Sequence, residues 1–286
     1  MELLFMNKTC DLHTHSIFSD GSFTPTEIID KATKIGLSAV ALTDHNTVNG
    51  IPEFLRAAER ANIEAIIGSE FSVDYNGTEL HLLGLYIPEE KLCEVSELMQ
   101  TANKRKEESN MQLIHSLNRA GYNINYADLK SKHPNSKINR AHIASHLTEL
   151  GYTESINYAF KTLLSKSHGH YTEPQRITVF EMLDFLKTIG AIPVLAHPFL
   201  DLSEEELMEF LPLAKENGLI GMECYYSLYD KNTIKKSLEI AVHFGLKPSG
   251  GSDFHGVHKP DIKLGVGKDN LHIPYEYAEQ LKPSIL

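Results

Sequence analysis

The sequence predicts an α/β fold, a barrel of mainly parallel strands carrying an all-helical insertion. Three observations carry this expectation. Short apolar runs alternate with amphipathic segments up to about residue 90 and again after residue 175, the pattern of βα units around a parallel sheet. The run ends around His13/His15, His45, Glu70, His197 and Asp253/His255 carry histidine or carboxylate, which a barrel would gather at the C-terminal mouth of its strands. Between the two alternating regions, a stretch from about Glu90 shows helical periodicity without a strand pattern. The expected division is a barrel from residues 1–95 and 168–286 and a helical insertion over 96–167.

Leu3, Leu4 and Phe5, followed by Thr9 and Cys10, make a brief apolar segment suited to a first strand. DLHTHSIFSDG follows, residues 11 to 21. In extended chain His13 and His15 share one face and Thr14 takes the other. Asp20 lies where Ser19, Asp20 and Gly21 turn the chain. Two imidazoles and a carboxylate in so short a run suit an open site for a borderline divalent metal. Alone, a His-x-His pair is more often two solvated strand histidines, so the case rests on what recurs downstream.

PTEIIDKATKIG reads as a helix, with Thr24 as cap, Pro25 in its first turn, Glu27 completing the cap and Gly36 past its end. SAVALTDHNT is a continuous apolar run ending in Thr43, Asp44 and His45, the pattern of a buried parallel strand with His45 just beyond its end. IPEFLRAAERAN is the next helix, IEAIIGSEFSVDYNG a strand carrying Glu70, and TELHLLGLYI an alternating strand carrying His81. A glutamate within an apolar strand is costly to bury unless something neutralises it. The neighbouring sequence offers no Lys or Arg, which points to a metal.

In the insertion, Val95, Leu98, Met99 and Ala102 form an apolar stripe, KRKEES is a solvated stretch, and Met111, Ile114 and Leu117 resume the stripe. These positions read as packing. Further helices are expected over 126–130, 139–150 and 155–164. Arg140 opens the helix NRAHIASHLTEL, where its guanidinium fork suits a phosphate beside the positive end of the helix dipole. His142 and His146 share one helical face at a spacing that can bind metal, though no third ligand lies nearby in sequence; His142 is a candidate substrate contact, against the plainer reading of surface or core histidines. Lys166, His168 and His170 suit either a phosphate-facing loop or a solvated polar one.

After residue 175, TVFEMLDFLKTIG is a helix stopped by Gly190, and AIPVLAHP a strand ending in His197, which Pro198 is expected to hold in extended geometry. SEEELMEFLPLAKENG is a helix capped by Ser203 with Glu206. GLIGMECYY is a strand, KNTIKKSLEIAVHFG a helix whose His243 reads as structural, and LKPSGGSDFHG delivers Asp253 and His255.

Composition bounds the function. The chain has 286 residues, 42% hydrophobic and 23% charged, with a net charge of −11, which argues against a basic face for duplex DNA. Several divalent cations would still make one pocket locally positive. Cys10, Cys93 and Cys224 are scattered and odd in number, as expected of a reducing compartment. No apolar run approaches the roughly 20 residues of a membrane span, and no signal peptide pattern opens the chain. A cytoplasmic protein without membrane contact is expected, with its oligomeric state left open. No G-x-S-x-G nucleophile elbow occurs.

Taken together, DLHTHSIFSDG, ALTDHNT, Glu70, His81, the AHP containing His197, and GSDFHG resemble the PHP (polymerase and histidinol phosphatase) family of metal-dependent phosphoesterases. The insertion with NRAHIA is similar to the branch acting on nucleotides or short oligonucleotides. The resemblance implies a distorted (β/α)7 barrel holding two to three divalent ions (Mn, Fe or Zn). It would give one ion to His13, His15, Glu70 and Asp253, a second to Glu70, His81 and His197, and a third to Asp20, His45 and His255. It implies hydrolysis of a phosphate monoester, of AMP or a 3′,5′-bisphosphate nucleotide, by a metal-bound hydroxide with Glu70, Asp253 and His197 among the ligands and no protein nucleophile. Arg140, His142, Lys166 and His170 are the expected substrate contacts. Alternatives are a 5′-3′ exoribonuclease on short oligonucleotides, a histidinol-phosphate phosphatase, and a metal-binding regulatory module. An amidohydrolase commonly needs a strand-end lysine, and none is found here.

Overall fold

The computed structural model describes residues 8–134 and 138–283; the expected strand residues Leu3, Leu4 and Phe5 and the side chain of Lys166 lie outside the described residues. The apolar runs become β1 (Cys10–Asp11), β2 (Ala39–Leu42), β3 (Glu64–Tyr75), β4 (Thr78–Leu85), β5 (Ile177–Thr178), β6 (Ile192–Leu195), β7 (Gly221–Tyr226) and β8 (Lys247–Gly251). The sheet runs β1-β2-β3-β4-β6-β7-β8, with β5 beside β3. The Leu12 N–H donates to the Gly250 carbonyl at 3.1 Å and Thr14 pairs with Phe254 in parallel register, so the first strand meets the last and the sheet closes into a distorted barrel.

Neighbours on this path are parallel except β4, which is antiparallel to both β3 and β6. The reversal is made at Asn76 and Gly77, at φ 52° and 86°, left-handed values that Asn-Gly adopts cheaply in a tight hairpin. Its consequence is positional. Parallel strands deliver their C-terminal ends to the mouth of the barrel, whereas β4 delivers its N-terminal half, and with it His81.

Alternation sorts the two faces of the sheet. Val40, Leu42, Leu80 and Leu82 pack outwards in the cluster shared with the helices. Ala39, Ala41, Leu83 and Leu85 belong to a second cluster, with Leu12, Ile66 and Val194, which fills the barrel below the mouth. Each fully buried Leu or Ile contributes roughly 1.5–3 kcal/mol relative to exposure.

The helices are α1 (Pro25–Lys34), α2 (Ile51–Ala61), α3 (Leu92–Arg119), α4 (Tyr126–Lys132), α5 (Arg140–Glu149), α6 (Ile156–Thr162), α7 (Val179–Thr188), α8 (Glu204–Glu216), α9 (Lys231–Phe244) and α10 (Glu276–Leu281). α1 and α8 begin with reciprocal caps, Thr24 with Glu27 and Ser203 with Glu206, which satisfy backbone N–H groups that a helix start leaves open. α10 inserts Ala278 and Leu281 into the inner cluster.

Between β4 and β5 the chain is helical, apart from turns, over the described residues. α3 runs unbroken past residues 95 and 96, because KRKEES lies on a helix that keeps its apolar stripe on either side. Its Val95 and Met99 pack in the barrel cluster, while Leu113, Ile114 and Leu117 join Ile143 and Leu147 of α5 in a separate core. One helix therefore couples the two hydrophobic cores. Among the described residues no helix is long and apolar enough to cross a membrane.

Candidate metal centre

The cluster is assembled by backbone pairing between segments far apart in sequence. The Asp253 N–H donates to the His13 carbonyl at 2.9 Å and the His15 N–H to the Phe254 carbonyl at 2.9 Å. Thr14, on the opposite face, receives the Thr43 N–H on its carbonyl at 2.9 Å, locking the His-x-His segment between the ends of β2 and β8. Gly251 permits this approach, since a Cβ there would lie 2.1 Å from the His13 Cβ. The turn after His15 is shaped by Asp44, whose carboxylate accepts the Ser16 N–H at 2.7 Å and the Ser16 and Ser19 hydroxyls at 2.6 Å each. Asp11 does the same for the closing turn, accepting the Ser252 N–H at 2.8 Å and the Gly265 N–H at 2.8 Å.

Glu70 is the hub. Its Oε2 lies 3.2 Å from His13 Nε2, 3.1 Å from His15 Nε2 and 3.2 Å from His45 Nδ1. Its Oε1 lies 2.8 Å from His81 Nδ1 and 3.1 Å from His197 Nε2. Asp253 Oδ1 is 3.3 Å from His15 Nε2 and 3.4 Å from His255 Nδ1, and Asp20 Oδ1 is 3.2 Å from His255 Nε2. All nine residues expected as metal ligands from the sequence thus lie in one contiguous cluster. Three overlapping groups within it bring donor atoms within 4.8 Å of one another: His15, Asp20, His45 and His255; His13, His15 and Glu70; His45, Glu70 and His81.

The electrostatics call for positive charge. Burial opposes ionisation of Glu70, Asp20 and Asp253, yet neighbouring histidines, and Lys259 on Asp253, hold all three well below the usual carboxylate range. Burial likewise opposes charge on His15 and His81, but the carboxylates outweigh it and raise them to about 9 and about 10. Burial wins at His45, which falls to about 3, and also lowers His255. Among the described residues, His13 Nε2, His15 Nε2, Asp20 Oδ1, His45 Nδ1, Glu70 Oε2, His81 Nδ1 and His197 Nδ1 are buried without a hydrogen-bond partner. Buried polar atoms are normally paired. Imidazole nitrogens and carboxylate oxygens converging in this way are the donor set of a divalent cation centre, whose charge would take the place of the protons on His15 and His81, so these residues fit metal.

His197 departs from expectation. It lies at φ 24°, ψ 55°, not in the extended geometry expected before Pro198. Its N–H is held by the Glu223 carboxylate at 2.8 Å and its ring reaches Glu70, and these contacts override the local preference.

Beside the cluster opens a cavity of about 310 Å³. Asp20, His45 and His81 line it together with Lys106, Arg140, Tyr171 and Arg176, and the Glu79 carboxylate lies between the two sets, 3.8 Å from His81 Nε2 and 2.6 Å from Arg176. The Arg140 guanidinium lies 4.3 Å from the Tyr171 ring centroid, and Glu79 receives Arg176 at 2.6 Å and Arg140 at 3.5 Å. Of the expected substrate contacts, Arg140 lines this cavity. His142 and His170 do not: His142 is buried in the reciprocal cap of α5 and stacks on His133 at 4.0 Å, and His170 pairs with the Ser116 hydroxyl at 3.0 Å. His142 fills the third helical position, where a side chain can close the cap. His168 lies in an exposed serine cluster with Ser165 and Ser167.

Sequence reasoning passed over Glu79, Lys106, Arg176, Glu223 and Lys259. Glu223 bore the same signal as Glu70, an acid inside an apolar strand. Arg176 and Lys106 bore none, because their relevance arises from how the helical layer sits over the barrel.

A family model for the PHP domain matches residues 11–163. The chain is 31% identical to a 3′,5′-nucleoside bisphosphate phosphatase of Chromobacterium violaceum, over 96% of this chain and 97% of that protein. It is 29% identical to a 5′-3′ exoribonuclease of Haemophilus influenzae, over 87% of this chain and 91% of that protein. Among solved structures, a metal-dependent phosphoesterase from Bifidobacterium adolescentis superposes with a TM-score of 0.83 at 25% identity, covering 96% of this chain and 95% of its own. With its histidine and carboxylate cluster at the mouth of a distorted barrel, the chain belongs to the PHP domain family of metal-dependent phosphoesterases and is a phosphoric ester hydrolase.

Proposed function

We propose that this hydrolase removes phosphate from a nucleotide carrying a second phosphate, a 3′,5′-bisphosphate nucleotide fitting best. The observation that carries the reading is a cavity lined both by residues of the candidate metal centre and by Lys106, Arg140 and Arg176. In this reading the two sets of residues would seat two phosphates of one molecule. The proposed ligands are His13, His15, Glu70 and Asp253 for one ion, Glu70, His81 and His197 for a second, and Asp20, His45 and His255 for a third. When bound, such ions acidify water and hold the oxygens of a phosphate undergoing in-line displacement. Glu70, common to two of these sets, would serve both.

Arg140 and Arg176 bind the non-reacting phosphate. Tyr171 lies beneath the Arg140 guanidinium and Glu79 restrains both arginines, so little side-chain freedom is lost when the phosphate arrives. Lys106 adds charge from α3. Asp44 and Asp11 hold the two turns that present Asp20 and Asp253. No side chain is assigned as nucleophile. The likeness to an exoribonuclease supports a second reading, in which the same pocket accepts the 5′-phosphorylated end of a short oligonucleotide.

The test is phosphate and nucleotide release by metal-reconstituted protein from 3′,5′-bisphosphate nucleotides, AMP, histidinol phosphate and 5′-phosphorylated oligonucleotides. The proposal expects the highest kcat/KM for the bisphosphate, and a folded but inactive His13→Ala. Preferred stepwise release of mononucleotides from oligonucleotides would instead establish the exonuclease, and full activity of His13→Ala would overturn the metal assignment.

A further inference from the structure

Glu223 stands behind the cluster, fully buried, on β7. Met222 and Cys224 on either side pack in the outer hydrophobic cluster, so Glu223 faces the barrel interior. A register irregularity between Glu223 and Tyr225 locally re-aims the strand, as bulges beside functional sites do. Its Oε1 lies 3.2 Å from His13 Nδ1 and its Oε2 accepts the His197 N–H at 2.8 Å. One carboxylate thereby touches two of the candidate ligands, by a side chain in one case and by the backbone in the other.

We infer that Glu223 is a positioning residue that sets the tautomer and aim of His13 and holds His197 in its unusual backbone conformation, so that both present their free nitrogens to metal. The inference rests on the reading of His13 and His197 as ligands.

A carboxylate oxygen accepts hydrogen bonds, so in this contact His13 donates from Nδ1. Nε2 faces Glu70 Oε2 at 3.2 Å and Asp253 Oδ1 at 3.6 Å, and with a metal bound it would turn its lone pair to the ion. Two carboxylates beside that nitrogen favour positive charge there. This is the carboxylate–histidine arrangement that orients imidazole ligands and raises their basicity. The second arm acts on geometry. At φ 24° and followed by Pro198, His197 occupies a region that non-glycine residues adopt rarely. Without the Glu223 oxygen on its N–H, its backbone is free to relax towards extended geometry and carry the ring away from Glu70, now at 3.1 Å. A neutral amide at position 223 keeps the volume but has a single acceptor oxygen and cannot serve both arms.

The test compares wild type with Glu223→Gln, using zinc ion as the probe. Zinc affinity is read by competition with a chromophoric chelator, fold by circular dichroism, and the His13 tautomer by long-range proton–nitrogen correlation in the wild-type zinc form. The inference expects Nδ1 of His13 protonated in wild type. It also expects folded Glu223→Gln to bind zinc about 10–100-fold more weakly, the usual cost of losing such a partner, with kcat recovering at excess zinc and KM for substrate within threefold. Unchanged zinc affinity in a folded variant overturns it, as does an unprotonated Nδ1 in wild type. If that variant does not fold, Glu223→Asp, one methylene shorter and so drawn back from His13 and the His197 N–H, is read in the same way. Wild type that takes up no zinc overturns the metal reading and this inference together, a result distinct from a wild type that binds and a variant that binds equally.

Discussion

At the residue scale, the side chains divide by what they are already bonded to. Arg140 is aimed into the cavity but touches Glu79 only at 3.5 Å, leaving its donors available to a ligand. A hydrogen bond to a charged group is worth roughly 1.5–3 kcal/mol, about 10–150-fold in affinity. Arg140→Ala should accordingly raise KM for a 3′,5′-bisphosphate nucleotide by at least about tenfold on that scale, while steady-state kinetics on an aryl phosphate stay nearly unchanged; equal losses on both would remove Arg140 from recognition. His142 is committed to packing instead. Burial, followed by the neighbouring His133, lowers it from 6.5 to about 3. Below pH 6.5 the unfolded chain takes up a proton there that the folded chain refuses, so this part of the stability is complete above pH 6.5 and is lost as pH falls towards 3. At pH 5 the loss is about 2 kcal/mol. Urea unfolding at pH 7.5 and 5.0 should show wild type losing about that much more than His142→Gln, which retains a side chain able to close the cap.

At the element scale, the close approach of β8 to the His-x-His segment is the tightest constraint on the cluster. A methyl group on residue 251 would overlap the His13 Cβ and approach its backbone nitrogen within 2.6 Å. Neither strand can yield without breaking the pairing that carries His13, His15 and Asp253. Gly251→Ala should cost about 1–3 kcal/mol, as overpacking does, visible as a lower urea midpoint, and should weaken metal retention in the same protein. A variant with unchanged midpoint and metal content would show that the segment can move apart. The antiparallel β4 makes the complementary point, since a parallel strand in its place would carry a histidine at this position to the opposite end.

At the scale of the whole molecule, the cluster gathers carboxylate oxygens and imidazole nitrogens that come together only in the folded chain, so cation binding and folding are linked. A ligand bound only by the folded state adds about 2.7 kcal/mol when present at 100 times its Kd. Thermal unfolding of the reconstituted protein should shift upwards with manganese or zinc concentration and fall back with chelator; a Tm indifferent to both would contradict the proposed centre. Much of this arrangement is legible in the chain, for a reason that differs by residue. The strand-end histidines stand out because apolar runs announce the strands and the fold dictates which ends meet. The same logic applied to GLIGMECYY exposes Glu223, although its partners are visible only in three dimensions. Arg176 and Lys106 have no such marker, because the cavity they line depends on the docking of α3 and α5. The φ of His197 was illegible for another reason: the local rule for residues before proline is correct, and a hydrogen bond from a distant strand overrides it.

The pairing of Asp253 with His13 joins β8 to a segment encoded far upstream. A chain still emerging from the ribosome displays the early histidines and Glu70 before β8 exists, and the cluster cannot close until β8 has been made. A product cut short before β8 would therefore carry most of the donors without the strand that gathers them.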